Sequence, residues 1–235
     1  MTKQLLLCDL HIHTNLDPIH GPDVENDVMY SYQQAIDIAA KKGISVLAFT
    51  HHLRLIFTKE MASYAKKKGI VLLPSVEAVI EGCDVLLINT DTDDIHTFTQ
   101  LRKLRKRNPK VLVIAPHPYY PASQCLGDKL EKNISLFDGI EFCHFYLPFY
   151  NGFNRKAIKI ARKYNKPIIG TSDSHMLENI GRTHTVVKSE KDADAIITAI
   201  KKGDCATVTR QVPASYVFHF FLSVTRLARF LKKRE

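Results

Sequence analysis

Apolar, mostly β-branched residues gather in seven short runs: Leu5–Leu10, Ile44–Phe49, Ile70–Pro74, Val85–Ile88, Val111–Ala115, Gly139–Phe142 and Pro167–Gly170. Each has the length of a buried strand. Between them, 28–42, 59–68, 94–107, 124–133 and 154–164 show mostly amphipathic helical spacing with basic outer faces. Only the third and fourth runs are joined by something too short for a helix. Strand alternating with helix predicts parallel pairing through right-handed crossovers. About seven such units in roughly 200 residues predict an α/β fold, a closed or nearly closed TIM-like barrel. A doubly wound open sheet is the alternative, but no Gly-rich phosphate loop follows the first run. No repeat or low-complexity linker divides the chain, so 1–235 is expected to be a single domain. Its final part, 213–235, is apolar and turns cationic at its end. It predicts an amphipathic helix that covers the barrel flank or joins two copies in a homo-oligomer; binding to an anionic lipid surface is the sharper alternative.

The polar residues gain meaning on this frame. Side chains two apart in a strand share a face, so His11 and His13 lie together at the end of the first run. His51 and His52 follow the second, Glu77 the third, His117 the fifth, His144 the sixth, and Asp173 and His175 the seventh. A parallel barrel gathers such strand ends on its C-terminal rim, which predicts a metal site there. Imidazoles mixed with carboxylates suit Zn²⁺, Mn²⁺ or Fe rather than Ca²⁺ or Mg²⁺. The donors outnumber what one ion takes, so two or three divalent ions are expected, with Glu77 bridging a pair. Ions so placed clamp a phosphate and activate a water for in-line attack on phosphorus.

Composition narrows the partners. Of the 235 residues 45% are hydrophobic, enough for a real core, and no apolar stretch is long enough to span a membrane. The formal net charge of +9 favours an anionic, phosphorylated substrate; nucleic acid is a possible but less favoured partner. Five cysteines (Cys8, Cys83, Cys125, Cys143, Cys205) show no C-x-x-C spacing and suggest reduced thiols in a cytoplasmic protein. The N-terminal apolar stretch is too short for a signal peptide.

Five segments together carry a resemblance: Asp9-Leu-His-Ile-His-Thr14, Phe49-Thr-His-His52, Ser75-Val-Glu77, Ala115-Pro-His-Pro118 and Gly170-Thr-Ser-Asp-Ser-His175. They resemble, in order, the successive motifs of the PHP (polymerase and histidinol phosphatase) family, from about residue 5 to about residue 188. The resemblance implies a distorted seven-stranded (β/α) TIM-like barrel with a two- or three-metal site, and phosphoric ester hydrolysis, with Glu77, Asp173 and His175 as the catalytic set. It implies that His11, His13, Glu77 and Asp173 share a first ion, that Glu77 bridges to a second held by His117, and that His52 and His175 belong to a third site. Asp9 would orient a metal-bound imidazole. The sequence departs from the family pattern after the first motif, where Asp17 or His20 would complete the third site, and between Glu77 and His117, where the chain offers Cys83-Asp84 and His96, and where His144 would fill the gap. Arg182, in Gly181-Arg-Thr183, is a candidate contact for substrate phosphate. The expected activity is hydrolysis of a small phosphorylated molecule. Metal-dependent C–N amidohydrolysis, a metal-dependent exonuclease and a metal-stabilised scaffold are the alternatives.

Overall fold

The computed structural model describes residues 2–20, 28–147 and 149–211. The helix expected over 213–235 lies outside them. Strands β1 (Gln4–Ile12), β2 (Val46–Phe49), β3 (Val71–Leu73), β9 (His184–Ser189) and β10 (Cys205–Val208) form one sheet, ordered β10-β9-β1-β2-β3. Strands β4 (Ser75–Ile80), β5 (Cys83–Ile88), β6 (Leu112–Ala115), β7 (Gly139–Phe142) and β8 (Ile168–Gly170) form the second in chain order. The helices are α1 (Tyr32–Lys41), α2 (Lys59–Lys67), α3 (Phe98–Arg107), α4 (Asp128–Lys132), α5 (Gly152–Lys163) and α6 (Ala193–Lys202).

The fold is α/β, but the expected seven-stranded barrel does not form: there are two mixed five-stranded sheets. The causes are local. β3 stops at Pro74, which has no N–H to extend a ladder, and the chain re-enters in the other sheet. Glu81 and Gly82 both have positive φ (50° and 79°), as the favoured two-residue hairpin turn requires. β4 therefore pairs antiparallel with β5, Ile80 opposite Cys83. β6 joins β5 antiparallel, and β9 runs antiparallel to both β1 and β10. Parallel pairing is confined to β1–β2–β3 and β6–β7–β8. Among the described residues, single bridges, His52 to Glu77 and Ile12 to Ser174, join the sheets where a barrel would have ladders.

Strand alternation builds one interior between the sheets. Leu6, Cys8, Leu10, Val46, Ala48 and Leu73 of the first meet Leu86, Ile88, Leu112, Ile114 and Ile169 of the second. Ile196, Ile197 and Ile200 of α6 join the same cluster. The opposite faces carry the other helices: α1 and α2 against Leu47 and Phe49, and α3 to α5 against Val85, Val113 and Ile140. Capping boxes at Ser31/Gln34 and Thr97/Gln100 start α1 and α3 later than apolar spacing alone predicts.

β1 carries an irregularity that decides where the site lies. Asp9 pairs with Leu47 and Ile12 with Phe49, three residues of β1 spanning two of β2. The extra residue makes a bulge. Leu6, Cys8 and Leu10 face the shared interior, whereas Ile12 packs outward with the α1 cluster. The change of phase after Leu10 turns His11 and His13 inward.

Candidate metal centre

Ten candidate residues converge beyond the apolar interior. His11 and His13 come from the end of β1, with Asp17 and His20 on the following loop. His52 follows β2, Glu77 lies within β4, His117 follows β6, His144 follows β7, and Asp173 and His175 follow β8. The turn that carries His144 is locked by buried Asn154, whose Oδ1 accepts from Cys143 N (2.8 Å) and whose Nδ2 donates to Cys143 O (3.0 Å). Asp173 and His117 hold positive φ values of 42° and 25°. Such backbone persists in non-glycine residues only where surroundings enforce it.

Glu77 is the hub. Its Oε2 lies 3.2 Å from His11 Nε2, 3.5 Å from His13 Nε2 and 3.2 Å from His52 Nε2. Its Oε1 lies 3.8 Å from His117 Nε2. Asp173 Oδ1 is 3.3 Å from His11 Nε2 and 3.4 Å from His13 Nε2; its Oδ2 is 4.0 Å from both His117 Nε2 and His144 Nδ1. Two donors of one zinc, each about 2.1 Å from it in a tetrahedral shell, would sit about 3.4 Å apart. Three donor sets lie within 4.8 Å mutually: His11–His13–Asp173, His13–Asp17–His52 and Glu77–Asp84–His117. His13 Nε2 and His144 Nδ1 are buried without a hydrogen-bond partner. Orphaned imidazole nitrogens beside buried carboxylates fit divalent cations, because an unpaired buried polar atom is costly.

A second layer of carboxylates holds the rings from behind. Asp17 Oδ2 lies 2.8 Å from His13 Nδ1 and 3.0 Å from His52 Nδ1, and accepts from His52 N at 2.9 Å. With Nδ1 engaged, both rings direct Nε2 at Glu77. Asp17 therefore sits where an orienting acid sits, and His20 stacks edge-on against His175 and His52 at 4.7 and 5.0 Å. His175 stacks on His13 at 4.4 Å, and its Nδ1 lies 3.1 Å from its neighbour Asp173 O. If Nδ1 donates to that carbonyl, the lone pair is left on Nε2.

Two further residues join the cluster: Glu141, which the sequence patterns did not assign, and Asp84, which the sequence offered between Glu77 and His117. Glu141, inside β7, bonds His11 Nδ1 at 2.9 Å. Asp84, on β5, completes the third donor set; an acid inside an otherwise apolar strand was the available signal for both. Asp9, by contrast, touches no imidazole. Its carboxylate accepts from Ser172 N (2.9 Å) and Gly181 N (2.8 Å), tying down the loop after β8. Arg182 donates to Gln211 O (3.4 Å); burial first, and then the Arg182 charge, lower the pKa of Lys42. His51 bonds Thr14 Oγ1 at 2.7 Å and burial drives its pKa down to about 3.

The charges explain what the cluster wants. Burial works against imidazolium at His11, yet Asp173, Glu77 and Glu141 hold its pKa well above the usual range. His13 is raised to about 9, the Asp17 hydrogen bond outweighing burial, and His117 to about 10, with Cys125 and Asp173 outweighing burial. Against the cost of burial, neighbouring imidazoles, His11 foremost, keep the Glu77 and Asp173 carboxyls below the ordinary range. Burial and Glu77 together push Asp84 up to about 7. Burial lowers His144, His20 and His175, the last to about 3, so these are neutral donors near neutral pH. Without a cation, protons on His11, His13 and His117 balance the carboxylates; a divalent ion can take their place.

A layered α/β fold with a histidine–carboxylate cluster at its strand ends defines a metallohydrolase-like architecture. The PHP_C family, described as PHP-associated, matches residues 151–205. Uncharacterized protein MJ1587 of Methanocaldococcus jannaschii is 31% identical over 169 residues, 68% of this chain and 90% of that protein. The chain belongs to the PHP family. Among solved structures, PsfC of Pseudomonas syringae superposes with a TM-score of 0.62 at 14% identity, covering 89% of this chain and 93% of its own. The lesion-specific endonuclease PfuEndoQ of Pyrococcus furiosus superposes with a TM-score of 0.61 at 16% identity over 87% of this chain, which spans 58% of it. These similarities are of fold. Among the described residues, no helix is long and apolar enough to cross a membrane.

Proposed function

We propose that the protein is a metal-dependent hydrolase of the PHP type that cleaves phosphate esters of a small anionic substrate. The observation that carries this reading is Glu77, whose two oxygens divide between the His11–His13–His52 nitrogens and His117. In this reading His11, His13, Glu77 and Asp173 hold one ion, and Glu77 with His117, joined by Asp84, holds a second. His52, His175 and His20 are the donors for a third, with Asp17 fixing the His52 ring. Bound divalent ions supply Lewis acidity and bring a water molecule within reach of deprotonation near neutral pH. The chain's own contribution is placement. Asp17 and Glu141 lock ring orientation, the apolar interior below excludes bulk water, and neutral His20 and His175 leave the outer side free of competing positive charge. The net charge of +9 draws anions toward this face.

A panel of phosphomonoesters, phosphodiesters and amides, run on ion-stripped protein and after adding Zn²⁺, Mn²⁺ or Fe²⁺, tests the reading. Ion-dependent turnover of phosphomonoesters is expected; turnover of amides alone would redirect it to C–N chemistry. A nucleic-acid phosphodiester is the second reading. Exposed Arg102, Lys103, Lys106 and Arg107 on α3 favour it, and a steep salt dependence of DNA binding would select it.

A further inference from the structure

Glu141 makes three side-chain hydrogen bonds, and each goes to a different part of the cluster. It is 1% exposed, in a strand whose other residues are Gly139, Ile140 and Phe142. Its Oε1 takes His11 Nδ1 at 2.9 Å and also accepts from Thr171 Oγ1. Its Oε2 accepts the backbone N–H of His117 at 2.6 Å. The partners come from β1, from just after β8 and from just after β6, so one carboxylate binds four strands directly behind the donor atoms.

The two oxygens do different things. Accepting from Nδ1 fixes the proton there and leaves the His11 lone pair on Nε2, which faces Glu77 and Asp173. The other oxygen holds the peptide of His117 in its positive-φ conformation, which a non-glycine residue keeps only where such an anchor enforces it. Asp17 does comparable work on the other side of the cluster, engaging the His13 and His52 rings and accepting from the His52 and His20 backbone N–H groups.

We propose that Glu141 is a positioning residue shared by two ion sites: one oxygen sets the ligand form of the His11 ring, the other sets the backbone that presents His117. Loss of its charge then weakens both ions together. This rests on the reading of His11 and His117 as ligands. An amide cannot substitute, because in Glu141→Gln one end becomes a donor that must face another N–H or O–H.

The experiment is a Zn²⁺ titration of chelator-stripped protein against a chromophoric competitor. Glu141→Gln is expected to weaken both the first and the second equivalent by about 10–100-fold, and Thr171→Val, which removes one donor and no charge, by less. Affinities within twofold of wild type, or weakening of one equivalent alone, would overturn the shared role. Wild-type protein taking up no zinc would remove the ligand reading as well, and the same titration distinguishes the two failures. Independently of any variant, ¹⁵N spectra of histidine-labelled, zinc-loaded wild type should show His11 protonated at Nδ1 and ligating through Nε2. The opposite tautomer overturns the proposal even where Glu141→Gln fails to fold.

Discussion

The space between the two sheets has two halves with opposite demands. In one, Leu6, Leu10, Leu86, Leu112, Ile169 and Ile196 are buried and make no hydrogen bonds through their side chains. In the other, five carboxylates (Asp17, Glu77, Asp84, Glu141, Asp173), three within strands and two on loops after them, face a shell of imidazoles. The first half stabilises the fold by removing hydrocarbon from water, about 1.5–3 kcal/mol per large side chain. The second gathers charge where charge is expensive, and needs protons or cations to be tolerable. The contrast teaches that the apolar half carries stability and the polar half carries chemistry, so perturbations of each should separate cleanly.

The sharpest separation is expected from Glu77→Gln. It should lower kcat by on the order of 10³-fold, the upper range for removing one group from a preorganised site, while the unfolding midpoint of ion-free protein moves little. Full activity with full metal content would break the comparison at once. Next comes Leu112→Ala, which empties a fully buried position on the opposite half. A loss of about 2–5 kcal/mol by denaturant unfolding is expected, with zinc affinity unchanged.

Ion removal should act between these extremes. Protein at free zinc 100 times its Kd gains about 2.7 kcal/mol over stripped protein, read as a shift in Tm. The two forms should also respond oppositely to pH. In stripped protein His13 and His117 have pKa values of about 9 and about 10 against 6.5 unfolded, so their contribution is fully present below pH 6.5 and is lost as pH rises through 9 to 10. Loaded protein instead loses its ions on acidification, because ligands regain protons. Thermal melts across pH 6 to 10, with and without chelator, check the crossing. The smallest effect belongs to the exposed Arg107–Asp91 pair at 2.8 Å: its removal should cost under about 1 kcal/mol and leave both halves untouched.

Each of the seven apolar runs contributes a strand, because a short β-branched stretch has few other ways to bury itself. The closed barrel failed because closure depends on what joins the runs. Glu81-Gly82 makes a hairpin in which Val76, Ala78 and Ile80 alternate with Glu77, and that alternation was readable though the sheet it would join was not. β4, β9, β10 and α6 were missed; β9 and β10 carry half-polar patterns whose burial comes only from neighbours. At the site, histidines after strands gave themselves away by position. Glu141 did not, since an acid within an apolar strand acquires meaning only when a ring from a distant strand arrives beside it. Asp9, two residues before His11, serves backbone amides instead, because the bulge between them breaks the alternation that would put both on one face.

The additional residue in β1 between Asp9 and Ile12 has a consequence for how such a chain can diverge. Deleting Leu10 would leave the ladder to β2 regular, with Ile12 still opposite Phe49 and both imidazoles still turned inward. A lineage could thus shed the irregularity through a single codon while keeping its reactive face, whereas inserting a further residue would swing the imidazoles beneath α1.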